Sequence, residues 1–314
     1  MTTLSAIFDA VFENTAAGAG SALSAFLVTG VGTIGFRYGR TSPAYARCCI
    51  RRALKRPMKR FELRPPESRW RNDRLEAPIR TAINNRTSGV QVLHTEPGTG
   101  KTTASRDVIR DLQLSRKISG ALLVKCSNIS MNNTQATRDT LQTALRRELF
   151  RVCGVPQTSR AGFNVSSLFP HNNNNRHKRS VLLLDQFDHV TNWDTKEVCS
   201  LVKALAEDAA QSNSFVVVAN VSDRALFKDM ITWNGAQKIT SMLPEDEIFE
   251  WSDEELRSVL LKHIACRPRL SALQSSKAEQ DQLIANARKE PKGKKTVGAL
   301  LRQIDSYLEN LPEE

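Results

Sequence analysis

Val90-Gln91-Val92-Leu93-His94-Thr95-Glu96-Pro97-Gly98-Thr99-Gly100-Lys101-Thr102-Thr103 decides the fold of this chain. Val90, Val92 and Leu93 read as a buried strand, and the residues after Thr103 read as a helix. A strand, a Gly-rich turn and a helix in that order make a phosphate-binding loop. Gly98 and Gly100 let the backbone curl so that successive N–H groups face one anion. Lys101 has the reach for the β- and γ-phosphates of a nucleotide, and the Thr102 hydroxyl suits the shell of a Mg²⁺ ion. Pro97, Gly98, Thr99, Gly100, Lys101, Thr102 and Thr103 are therefore the candidate nucleotide-binding residues, with Thr102 also a candidate metal ligand. The pattern G-x-x-x-x-G-K-[ST] has glycine where this chain has Thr95. Threonine fits there if its φ stays negative, with a narrower loop mouth as the expected consequence.

Working outward, apolar runs alternate with helical stretches: Val90–His94, Ala121–Cys126, Ser180–Asp185, Phe215–Asn220 and a shorter one near Glu247–Trp251. Such runs predict a parallel sheet covered by helices on both faces. Val181-Leu182-Leu183-Leu184-Asp185 ends in a carboxylate, a candidate outer ligand of the same Mg²⁺. The polar stretch His171–Arg179 reads as a solvated loop leading into that strand, and its two histidines are not taken as ligands.

The two elements resemble the Walker A and Walker B elements of P-loop ATPases with an added strand between them, the group containing the AAA+ and STAND ATPases. That resemblance covers residues 75–312 and implies ATP and Mg²⁺ as the bound species and ATP hydrolysis as the reaction. In the AAA+ pattern a glutamate directly follows the aspartate and polarises water; here Gln186 stands there and cannot accept a proton, which implies slow turnover. Asp185-Gln186-Phe187-Asp188 resembles STAND-type sites, which implies Asp188 as the acid that orients water; the other reading has Asp188 capping the next turn. Asn220 resembles the sensor-1 residue that reaches the γ-phosphate; the other reading starts the turn Asn220-Val221-Ser222-Asp223. Val221 replaces the lysine of the guanine-reading N-K-x-D motif, so ATP is favoured over GTP.

Ser252-Asp253-Glu254-Glu255 is a capping box that opens a helix, and helical patterns recur at 278–287 and 297–311. These helices resemble the lid that closes over nucleotide in AAA+ and STAND proteins. No G-x-x-R is present, and Thr296-Val297-Gly298-Ala299-Leu300 is similar to the STAND helix start. Arg224, Lys228 and Lys238 do not make an arginine finger.

The net charge of +12 on 314 residues is concentrated. Residues 37–74 hold thirteen Lys/Arg against Glu62, Glu67 and Asp73, while residues 75–314 carry a net of only +4. Six cysteines without a C-x-x-C pair suit a reducing compartment and argue against a zinc site; Cys48-Cys49 reads as a pair of free thiols, with acylation beside a membrane as the other reading. Residues 14–36 carry no charge, and as a helix they would span about 34 Å, enough for a hydrocarbon core of about 30 Å. A membrane anchor, a cleaved signal and a soluble leader all compete for this run. The following basic cluster favours the anchor, with the rest of the chain on the cytoplasmic or matrix side. The same cluster also suits nucleic-acid phosphates.

The expected fold class is α/β: a parallel-sheet P-loop NTPase core with a small C-terminal helical lid and an N-terminal hydrophobic helix. The expected domains are a membrane-anchor helix at 1–38, a basic linker at 39–74, the ATPase core at 75–251 and the lid at 252–314. The expected protein is a membrane-tethered AAA+/STAND-like ATPase at an intracellular membrane, with a single pass and an unidentified protein partner. Its candidate catalytic residues are Asp188 and Asn220, and its candidate metal residues are Thr102 and Asp185. A nucleic-acid-binding ATPase using segment 37–74 is the alternative.

Overall fold

A computed structural model describes residues 43–58, 73–85, 89–129, 141–155, 169, 178–192, 194–232, 238–244, 250–289 and 296–311. In chain order the elements are α1 (Pro43–Lys55), α2 (Asp73–Asn84), β1 (Val90–His94), α3 (Lys101–Leu114), β2 (Gly120–Lys125), α4 (Leu141–Cys153), β3 (Ser180–Asp185), α5 (Thr195–Ser212), β4 (Phe215–Val221), α6 (Arg224–Thr232), β5 (Ile239–Ser241), α7 (Asp253–Cys266), α8 (Ala272–Ser275), α9 (Lys277–Lys289) and α10 (Val297–Glu309).

The sheet has the order β2-β3-β4-β1-β5, and every pairing is parallel. Burial on both faces explains why the four longer strands read as near-continuous Val/Leu runs. Alternate strand residues feed two separate hydrophobic layers. Val92, Leu122, Leu182, Leu184 and Val217 face the layer formed with α1, α4, α5 and α6. Leu93, Val181, Leu183 and Val218 face the layer formed with α2, α3 and the C-terminal helices. The C-terminal helices thus share a core with the helix that follows the Gly-rich loop. The capping box is formed: Ser252 Oγ accepts from the Glu255 N–H, and the Glu255 carboxylate accepts from the Ser252 N–H.

Two expectations change. The fifth strand is Ile239–Ser241, beside β1, while Glu250 and Trp251 are not strand and 247–249 lie outside the described residues. Trp251 is buried just before the N-cap of α7, so its apolarity serves the helical layer. The single-pass membrane location is also corrected, because no helix among the described residues is long and apolar enough to cross a membrane. Residues 14–36 lie outside the described residues, as does most of the 171–179 loop. In sequence the uncharged run is diluted by Gly18, Gly20, Gly30, Gly32 and Gly35 and by four Ser/Thr between Ser21 and Thr33, which lowers its gain on leaving water.

Within segment 39–74, α1 buries Ala46, Ile50 and Leu54 against the sheet. Their spacing of four residues puts them on one helical face. Each large side chain removed from water contributes about 1.5–3 kcal/mol, an upper bound for the burial of Ile50 and Leu54.

Candidate functional site

Parallel strands align their carboxyl ends, so the loops that follow β1, β3 and β4 meet at one end of the sheet. Leu93 pairs with Asn220, and Leu184 with Ala219, which sets Asp185 and Asn220 level beside the turn that leaves β1.

In that turn Gly98 (φ 79°) and Gly100 (φ 99°) adopt the left-handed conformation. Thr95 has no positive φ; its hydroxyl is buried 2.5 Å from the Thr99 hydroxyl, which also donates to the Glu96 carbonyl at 3.0 Å. The threonine in place of glycine is therefore tied into the loop wall. Lys101 Nζ donates to the carbonyls of Thr95 (2.6 Å) and Glu96 (3.0 Å). Burial lowers the Lys101 ammonium to about 8, while the charges of Asp188, Glu96 and Asp185 act in the opposite direction.

A chain of side-chain hydrogen bonds crosses the strand ends. Thr102 Oγ1 donates to Asp185 Oδ1 at 2.7 Å, Asn220 Nδ2 donates to the same oxygen at 3.1 Å, and Ser105 Oγ donates to Asn220 Oδ1 at 3.0 Å. Asp185, Asn220 and Ser105 are buried, and each is satisfied by the next. A hydroxyl beside a carboxylate is a hard oxygen pair that suits Mg²⁺. With an ammonium and a left-handed glycine turn adjacent, the residues fit a magnesium–triphosphate. Ser105 escaped the sequence reading; its signal is the i, i+3 spacing from Thr102 on one face of α3.

Gln186 leaves β3 in the left-handed conformation (φ 56°) with its side chain exposed. This turn buries Phe187 and leaves Asp188 half-buried, close enough to Lys101 to act on its charge. Cys126 is fully buried; burial and the charges of Asp185 and Asp188 push its thiol up, so it stays protonated. Pro97 and Gly98 are exposed, Thr103 is partly exposed, and Arg224, Lys228 and Lys238 are exposed.

From the other side α10 reaches the loop. Thr296 caps this helix by accepting from the Ala299 N–H at 3.2 Å, and the Gly298 N–H donates to the Gly98 carbonyl at 2.9 Å. A Cβ on Gly298 would lie 3.1 Å from Gly98 Cα, so the two glycines permit this approach.

Residues 84–221 match the family model described as an AAA domain. No curated protein matches the sequence. Among solved structures, the chain is similar to one in the structure of Drosophila ORC bound to DNA, with 17% identity, a TM-score of 0.47, and coverage of 85% of this chain and 61% of that one. The Walker-type ATPase of Pyrococcus abyssi shares 14% identity over 80% of this chain and 71% of its own, with a TM-score of 0.47. Cdc6p from Pyrobaculum aerophilum shares 16% over 86% of this chain and 64% of its own, with a TM-score of 0.44. The chain thus spans less than two thirds of the length of the Drosophila and Pyrobaculum proteins.

Proposed function

On the premise that this chain carries a P-loop ATPase core of the AAA+ group, we propose that it is a slow, ATP-driven switch whose nucleotide state is passed to its C-terminal helices. One observation carries the reading: the hydrogen-bonded run Thr102–Asp185–Asn220–Ser105 converges beside the left-handed glycine turn. Gly98, Thr99, Gly100, Lys101 and Thr102, flanked by Pro97 and Thr103, hold the triphosphate, and Thr102 and Asp185 hold Mg²⁺. The bound metal supplies charge neutralisation at the phosphate oxygens. Asn220 keeps its amide aimed across the site by donating to Asp185 and accepting from Ser105. Asp188 orients the attacking water, because the exposed amide of Gln186 cannot take a proton. The Gly298–Gly98 hydrogen bond ties α10 to the loop backbone, so a loop that moves on nucleotide binding moves the helix.

Steady-state hydrolysis by the purified chain tests this reading. Turnover below ~1 s⁻¹ is expected, at the slow end of enzymes. Asp188→Asn should lower it by about 10²-fold, the scale of a positioned acid or base, with ATP affinity kept within threefold. Turnover unchanged in Asp188→Asn would remove that residue from the mechanism.

A further inference from the structure

The charge of segment 37–74 has a fixed platform in α1. The inner side of this helix, Ala46, Ile50 and Leu54, is at most 3% exposed. Its carboxyl end is held by Gln113 of α3: Nε2 donates to the carbonyls of Leu54 (3.4 Å) and Arg56 (3.2 Å), and Oε1 accepts from the Met58 N–H at 2.8 Å. These bonds satisfy carbonyls that a helix end otherwise leaves open. β2 begins against the same end, where a Cβ on Gly120 would lie 2.4 Å from the Leu54 carbonyl oxygen. The helix is pinned on two sides.

Its outer side carries Arg47, Arg51, Arg52 and Lys55, with Arg56 just beyond, all exposed. Residues 43–60 contain no Asp or Glu. Arg51, Arg52, Lys55 and Arg56 make no ion pair among the described residues. From Arg47 to Lys55 the row of cations runs about 12 Å along the helix axis.

We infer that this face is a docking surface for the phosphate backbone of a double-stranded nucleic acid, read without regard to base sequence. Two polyanions compete for such a face, and the packing separates them. A helix that inserts into a lipid surface does so by its apolar side, and α1 has already committed Ala46, Ile50 and Leu54 to the core, which leaves a lipid surface only its charge to grip. What remains is a rigid row in which guanidiniums outnumber ammoniums, and guanidinium forks match phosphate oxygens two at a time. The outer side of α1 offers no exposed aromatic for stacking on unpaired bases, which favours duplex over single strand. The inference does not depend on the nucleotide-site reading.

The test uses the full chain and 30-bp DNA and RNA duplexes of arbitrary sequence, followed by fluorescence anisotropy between 50 and 200 mM salt. Binding to at least one duplex is expected, the tighter of the two identifying the source of the backbone. Each phosphate contact steepens log K against log[salt] by about 0.9, so a wild-type slope of about −3 or steeper is expected. Arg51→Gln/Arg52→Gln/Lys55→Gln/Arg56→Gln should weaken binding by more than tenfold and flatten the slope by about 3, with an unchanged urea unfolding midpoint as the check on folding. The smaller change Arg52→Gln/Lys55→Gln should flatten it by about half as much. No binding to either duplex, a wild-type slope clearly shallower than about −3, equal affinity in the variants, or binding to phosphatidylserine vesicles in place of duplexes would each overturn the inference.

Discussion

At the carboxyl ends of β1, β3 and β4 the chain buries polar groups and makes each one the partner of the next, as with Thr102, Asp185, Asn220 and Ser105. Along the β2 edge the opposite holds: α1 buries Ala46, Ile50 and Leu54 and leaves Arg51, Arg52 and Lys55 exposed. Buried polar groups have a cost unless they are paired, and here each is paired within the chain, so the first region is held together by directional polar contacts. The second region is anchored by apolar packing and can change its charges without disturbing the core. Stability and nucleotide binding should therefore respond to different substitutions.

The largest stability effect that separates the regions is expected from Ile50→Ala, which deletes a buried side chain from the α1 anchor. A loss of about 2–5 kcal/mol in urea unfolding is expected, with ATP affinity at saturating folded fraction changed less than threefold. A large fall in ATP affinity of the folded protein would mean that the two regions are coupled.

A smaller effect is expected from His94, at the end of β1. Its ring stacks on Phe227 at 4.5 Å between centroids. Burial lowers its pKa below 6.5, helped by the charges of Lys101 and Arg224 and opposed by Glu96 and the Ser222 backbone. Below pH 6.5 the unfolded chain therefore binds the proton more readily than the folded one, and stability falls as the pH falls. Unfolding midpoints at pH 7.5 and 5.5 should differ less in His94→Gln than in the wild type. An equal difference would show that His94 charges freely in the folded state.

The two regions also differ in how far they can be read from the chain. Lys101, Thr102 and Asp185 were legible because a motif fixes their spacing and the flanking Val/Leu runs fix their context. Ser105 was not, since its i, i+3 spacing from Thr102 marks only a shared helix face, and a buried serine there looks like any small residue. The left-handed φ of Gln186 and the approach of Gly298 to Gly98 depend on packing between distant segments, and no local pattern encodes them. In α1 the charge obscured the spacing: Ala46, Ile50 and Leu54 recur every four residues, but the surrounding arginines suggested a linker. β5, three residues long, is too short to show any period.

Nucleotide binding at this site requires Lys101 and its loop to grip a polyphosphate. Titration of the full chain with ATP in the presence of Mg²⁺, for wild type and Lys101→Ala, tests it most directly. Saturable binding is expected from the wild type and a loss of at least about 100-fold from the variant, on the scale of a charge-assisted bond to phosphate in a buried site. Equal affinity in the two proteins would contradict it.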